Sequence, residues 1–347
     1  MESKGWGKIA SVYIGTIIGA GFASGQEIVQ FFSIYGYRGI FGLIIATILF
    51  SSIGAIVLNR VYKNKIEGYE EFLLPLFGRR LGKGIELIIT LFLFTSFCVM
   101  LAGSGAIFHQ QFHISYNVGI YIMSICALLT FMFSVKGITT VNSILVPLLL
   151  IGITTMGVMV ILREGVVFSN YNGAEITKTG NWITSSILYV SYNSISAIVI
   201  MTSLLPIIHT RNAAIKGGIM GGLGLGLLAL FIIIPTLILY TDICKLEIPM
   251  LKIAGSLGKN GSIIYTLILW CSMFTTAVAN GFGFVRRASS FLNTNQRLLA
   301  VVFCIVSIPL AKLGFANLVT NLYPIFGYIG SFMLFIIIGN FILRRLI

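Results

Sequence analysis

Apolar residues along this chain run in long blocks, and polar residues gather in short stretches between them. A helix that crosses about 30 Å of hydrocarbon needs about 20 such residues, so each block predicts a membrane span. Ten are predicted, at residues 9–35, 39–58, 83–111, 116–135, 139–162, 182–208, 213–240, 261–285, 298–311 and 316–343. The ninth is short. The first is polar and glycine-rich in its middle, so one straight helix is not expected there. Two connections are longer than turns. Residues 59–82 combine Arg, Lys and Glu with the apolar run Phe72–Phe77, the pattern of an amphipathic segment on a membrane face. Glu247-Ile248-Pro249-Met250-Leu251 predicts a short helix with Pro in its first turn, capping the outer mouth.

Composition makes lipid the solvent. Of 347 residues, 57% are hydrophobic and 10% charged, and the mean hydropathy is +0.99, whereas a soluble domain carries roughly 25% charged residues. The expected fold is therefore all-α and integral to the membrane, one transmembrane domain over 1–347 with helices 1–5 at about 9–162 and helices 6–10 at about 182–343. The net charge of +13 does not point to nucleic acid, because the basic residues sit in short inter-span runs, as topology determinants do. With the N-terminus inside, the cytoplasmic segments hold Lys4, Lys8, Arg60, Lys63, Lys65, Arg79, Arg80, Lys83, Lys136, Arg211, Lys216, Arg286, Arg287, Arg297, Arg344 and Arg345. The outside keeps Arg38, Arg163, Lys178, Lys245, Lys252, Lys259 and Lys312. Both termini are thus expected in the cytoplasm. Lys4 and Lys8 before an apolar run resemble a signal peptide, but equally apolar segments follow, which makes this a retained first helix. The five cysteines form no CxxC and read as small buried hydrophobes.

The sharpest local signal is Gly15-Thr16-Ile17-Ile18-Gly19-Ala20-Gly21-Phe22-Ala23-Ser24-Gly25-Gln26-Glu27. Glycine costs about 1 kcal/mol against alanine in a helix, and in exchange the backbone can unwind and approach a ligand. Gly15, Gly19 and Ala23 at four-residue spacing also suit a small-residue packing face. That face does not account for Gly21, Gly25 and the Gln-Glu pair, so a break is the favoured reading. A second unusual stretch is Tyr189-Val190-Ser191-Tyr192-Asn193-Ser194-Ile195-Ser196 in span six, where Ser and Asn can loosen a helix. The plainer reading is interhelical hydrogen bonding. Spans one and six open two halves of five spans with opposite orientation, and breaks at matching places in inverted halves mark a midplane binding site. Ser272, Thr275 and Thr276 on span eight share one helix face and offer hard oxygen ligands to a small cation, although hydroxyl back-bonding to the helix is common. Glu27 is an ionisable residue within a span and a functional candidate by default, as gate partner, structural group or proton-coupling group, with the first two favoured. Glu86 beside Lys83 suits a surface pair. His109 and His113 have metal-like spacing but no carboxylate or Cys for company. The chain has no HExxH, no GxSxG and no paired intramembrane aspartates, so an enzyme is not expected.

These stretches, with Tyr323-Pro324-Ile325-Phe326-Gly327-Tyr328-Ile329-Gly330 on span ten, resemble the amino acid–polyamine–organocation superfamily. Within it, the chain resembles the YkvI-like bacterial membrane proteins. The resemblance implies the LeuT-type 5+5 inverted fold with broken helices 1 and 6, in a bacterial plasma membrane. It implies a sodium site at the carbonyls of Gly15 and Ile18 with Ser272, Thr275 and Thr276. Some proton-coupled relatives place a Lys on the fifth helix against this site, and residues 139–162 hold none. The resemblance also puts a substrate carboxylate at the amides around Gly19, Ala20 and Gly21, with Thr16 among the substrate-binding residues. Tyr192, Asn193 and Ser194 would face it, with the substrate's ammonium at freed carbonyls of the sixth helix, and Phe97 and Tyr323 would form walls. The implied function is a symporter of a small amino acid-like solute with an uncharged side chain. No cofactor is expected beyond the coupling sodium ion; the partners implied are the solute and the bilayer, and not nucleic acid. The alternatives are a proton-coupled transporter and a nutrient receptor built on the same fold.

Overall fold

The computed structural model of the chain describes residues 5–133, 138–168, 171, 173–255 and 258–346. Lys4 and Lys136, counted above, lie outside them. Apart from one isolated bridge between Thr177 and Gly180, regular structure among the described residues is helical: α1 Gly5–Ile17, α2 Ala20–Ser24, α3 Gln26–Phe31, α4 Arg38–Asn64, α5 Tyr69–Phe112, α6 Tyr116–Phe133, α7 Ile138–Glu164, α8 Trp182–Thr202, α9 Arg211–Ile238, α10 Tyr240–Ile243, α11 Pro249–Ala254, α12 Gly258–Leu292, α13 Gln296–Ala311 and α14 Phe315–Leu346. Seven of these hold stretches long and apolar enough to cross a membrane: α4, α5 from Arg80, α7 from Ile144, α8, α9, α12 and α14. Tyr116–Met132 and Gln296–Ala311 are apolar but shorter, and the first predicted span is interrupted.

Both long connections contain the helices expected of them. α5 begins with an amphipathic stretch of about two and a half turns, in which Phe72, Leu73 and Phe77 are buried while Glu70 and Glu71 face out. It bends at Gly78, where φ is 70°, a backbone state open to glycine at no steric cost. α11 starts on Pro249, which fixes φ and has no N–H to leave orphaned.

The core is built by small residues that let helices touch. α9 presents Gly217, Gly218, Gly221, Gly222 and Gly226 to α1 and α4, and a Cβ on Gly218 would run into the backbone of Gly54 and Ala55. Such close approach is how helices associate where lipid supplies no hydrophobic drive. Large apolar side chains such as Ile151 and Phe335 point outward, as a lipid-facing surface requires.

Hydrogen bonds tie the two ends of the bundle. At the basic end, Arg60 Nη1 donates to Asn340 Oδ1 (3.1 Å) and Arg211 Nε to Asn59 Oδ1 (3.0 Å). At the opposite end, Gln110 Nε2 donates to the Ile248 carbonyl (2.9 Å) and its Oε1 accepts from Ile248 N–H (3.2 Å). Glu247 Oε2 accepts there from Tyr116 Oη and from Phe315 N–H, both at 3.1 Å. These bonds pin the loop bearing α11 over the bundle, and burial pushes the Glu247 carboxyl above the ordinary carboxylate range.

Candidate functional site

The first span breaks where its glycines lie. α1 ends at Ile17, and Gly19 N–H donates to Ile17 O (2.9 Å) in a tight turn. Gly15 O therefore loses the α-helical bond it would take from that amide. Gly19 is extended (φ −106°, ψ −171°), and α2 restarts at Ala20. A second interruption follows at Gly25, held in the left-handed region at φ 80°. Backbone freed at membrane depth must find partners within the protein, and here it does. Tyr265 Oη donates to Ala23 O (2.7 Å), and Ser24 Oγ donates to Gly21 O (2.6 Å) while accepting from Gln26 N–H (3.2 Å). The packing-face alternative fits poorly. A Cβ on Gly15 or Gly19 would meet its nearest neighbour only at 3.9 Å (Val146) or 4.0 Å (Thr276).

That neighbour of Gly19 is Thr276 Oγ1, so the break faces the hydroxyl helix α12. Ser272 and Thr275 are buried beside it, and Thr275 Oγ1 donates to Ser272 O (3.0 Å), the back-bond expected of a helical threonine. Gly19 at the break and Thr276 thus come together, with Ser272 and Thr275 on the adjoining buried face. Gly15 lies a turn away, facing Val146 of α7. Thr16 Oγ1 is committed to Val12 O (2.8 Å) on its own helix.

Span six departs from expectation. α8 is one unbroken helix through residues 189–196. Ser191 Oγ donates to Ile187 O (2.6 Å), Asn193 Nδ2 to Tyr189 O (3.0 Å) and Ser194 Oγ to Val190 O (2.7 Å). The polar side chains bond back to their own helix instead of opening it. The expected break in helix 6 is therefore absent, and with it the freed carbonyls assigned to an ammonium. α8 ends early, at Thr202, and a 3-10 turn at Leu205–Ile207 follows. Asn193 and Ser194 are occupied within α8, whereas Tyr192 reaches across to the first span.

Tyr192 Oη donates to Glu27 Oε2, and Glu27 is buried at 6% exposure. The other carboxylate oxygen lies against Gly21, where any Cβ would collide with it. Anion binding at Gly21 would thus put two carboxylates side by side. Tyr323 packs on Tyr192 with ring centroids 4.8 Å apart, Phe31 lies 5.6 Å from Tyr192, and Tyr189 meets Tyr192 edge-on at 5.6 Å. Tyr323 is set there because α14 lies directly on α8, its Gly327 and Gly330 against the backbone of Leu188 and Ser191. Phe97 stands apart, packed against Phe303 with ring centroids 4.4 Å apart in a cluster with Phe131. Glu86 lines a cleft between α5 and α12 with Tyr69, Glu70, Arg286 and Arg287.

Two participants are absent from the site residues expected from the sequence. Tyr265 braces the break from α12, and Met250 of α11 sits over Gly25, its Cγ 2.7 Å from where a Cβ would be. A tyrosine inside an apolar span was the available signal for Tyr265; Met250 was legible only as part of the Pro-led segment expected over the outer mouth.

No protein-family model matches the chain. Two proteins of Bacillus subtilis (strain 168) match it over nearly full length. "Uncharacterized membrane protein YkvI" is 30% identical over 334 residues, covering 94% of each chain. "Uncharacterized protein YyaD" is 28% identical over 322 residues, covering 92% of each. The chain belongs to the YkvI family of membrane proteins. Solved structures match at low identity. An Eremococcus coleocola manganese transporter aligns at TM-score 0.60 and 13% identity, over 95% of this chain and 78% of that one. Mhp1 in its inward-facing conformation aligns at 0.56 and 13%, over 93% and 72%. A Na+-coupled sialic acid symporter in a substrate-bound outward-open state aligns at 0.59 and 13%, over 96% and 76%. These neighbours are LeuT-fold transporters, and the likeness gives this family member the same fold.

Proposed function

We propose that this YkvI-family protein is a secondary transporter that carries a small amino acid-like solute inward across the bacterial plasma membrane, coupled to sodium, by alternating access. On this reading it is a member of the amino acid–polyamine–organocation superfamily. Its ten spans are α1–α3 taken as one, α4, α5, α6, α7, α8, α9, α12, α13 and α14, with both termini cytoplasmic. The observation that carries the reading is the break at Ile18–Gly19 facing Thr276. Unwound backbone beside hydroxyl oxygens is the arrangement by which a transporter of this fold holds an ion and a solute at one level. The named neighbours that transport manganese and sialic acid lend support through the shared fold. Sodium held by the Gly15 and Ile18 carbonyls with Ser272, Thr275 and Thr276 would stabilise the unwound backbone, and through it the solute site.

Buried Glu27, bonded to Tyr192, favours a second reading in which a proton is the coupling ion. Proteoliposomes loaded with the protein and supplied with a radiolabelled amino acid mixture separate the two. Uptake driven by an inward sodium gradient and abolished by Thr276→Ala supports sodium coupling. Uptake driven by a proton gradient alone, insensitive to Thr276→Ala and lost in Glu27→Gln, replaces it with protons. Absence of uptake under either gradient removes the transporter reading.

A further inference from the structure

A positively charged amine buried in the transport site needs a partner, because an unpaired charge out of water is strongly disfavoured. Through residues 189–196 α8 opens no carbonyls to a ligand, since the helix is continuous there and Ser191, Asn193 and Ser194 donate back into it. Glu27 has the opposite character. It is buried, among the described residues no Lys, Arg or His neutralises it, and Tyr192 Oη is its hydrogen-bond donor. The Tyr192 ring is flanked by Tyr323 and Phe31, with Tyr189 edge-on. Tyr189 Oη is buried without a hydrogen-bond partner, and so is Gln26 Oε1 next to Glu27 in sequence. A carboxylate set among aromatic rings, with the unpartnered Tyr189 hydroxyl on the ring beside Tyr192, has the chemistry that recognises an organic ammonium: charge pairing, an N–H donor for the hydroxyl oxygen, and cation–π attraction to the rings.

We propose that Glu27, with Tyr192, Tyr189 and Tyr323, binds the ammonium group of the solute, so the substrates are compounds bearing a cationic amine. This rests on the transporter reading and names the half of the solute that the site selects. The ammonium displaces the Tyr192 hydroxyl from the carboxylate. Gly21 is glycine because the Glu27 carboxylate occupies the space of its side chain. All four residues are 6% exposed or less, so the site is closed to solvent in this conformation and is reached when the helices around it part.

The test is a thermal-shift comparison on purified protein in detergent at neutral pH, using matched sets of small molecules. Alanine, leucine and phenylalanine are compared with ethylamine, isoamylamine and phenethylamine, which lack the carboxylate, and with propionate, 4-methylpentanoate and 3-phenylpropionate, which lack the amine. The expected result is stabilisation by members of the first two sets and none by the third. Glu27→Gln should weaken amine binding by roughly thirtyfold or more, Glu27→Asp should keep part of it, and Glu86→Gln should leave it unchanged. Stabilisation by the acids as strong as by the amines overturns the ammonium site while leaving a transporter of some solute. Amine binding preserved in Glu27→Gln also overturns it and hands Glu27 to proton relay. No shift from any amine overturns it outright. The amine-versus-acid contrast in the unmodified protein decides the matter even if the Glu27 variants fail to fold.

Discussion

The stretches at 15–27 and 189–196 both crowd small and polar residues into the middle of an apolar span, and their backbones behave differently. α1–α3 is interrupted twice, at Ile18–Gly19 and at Gly25, whereas α8 runs through without a break. Glycine opens the first because it adopts conformations closed to other residues, and because residues of other elements support the opening: Tyr265 donates to the Ala23 carbonyl and Met250 packs over Gly25. Serine and asparagine leave the second intact because each carries its own donor to a carbonyl one turn back. Polar content alone does not break a membrane helix. Breaking one takes backbone freedom and external partners together.

The contrast can be attacked from both sides. The largest effect is expected where α8 is held by its neighbour: Gly330→Val drives a branched side chain into the Ser191 carbonyl and should cost about 3 kcal/mol, read as a fall in melting temperature in detergent. Gly25→Ala forces a side chain into a left-handed backbone and against Met250, and should cost about 2 kcal/mol in the same assay. A straightened first helix that tolerates this change would refute the account of the break. Tyr265→Phe removes the hydroxyl that satisfies Ala23 O, with an expected loss of about 1 kcal/mol; amide hydrogen exchange should quicken around residues 23–27 and not in α8. Ser194→Ala should change stability by no more than about 0.5 kcal/mol, since its hydroxyl serves only a carbonyl already in the helix ladder. A larger loss would mean that Ser194 has a role outside α8.

Most of the architecture is readable in the chain. The apolar blocks place the helix edges within a few residues of where they fall, except that α4 and α12 run further, α5 begins earlier, at Tyr69, and α8 stops sooner. The amphipathic start of α5 and the Pro-led α11 follow from local pattern. Of the candidate site, the glycine stretch gives the break and the i, i+3, i+4 hydroxyls give a shared face. Phe97 is misplaced because an aromatic residue in a span packs wherever a matching surface lies, and for Phe97 that is Phe303. Whether Ser191, Asn193 and Ser194 open their helix depends on where their donors turn, which composition does not encode.

The sequence by itself determined that this is a helical membrane protein, where most of its helices lie, and that the glycine-rich first stretch would break, since hydrophobic length and glycine's backbone freedom are local properties. Tertiary structure decided that α8 stays whole, that Thr276 meets Gly19, and that Glu27 lies against Gly21 under the tyrosines of α8 and α14. Those outcomes depend on contacts between residues far apart in the chain, and only packing of the helices against one another brings such residues together.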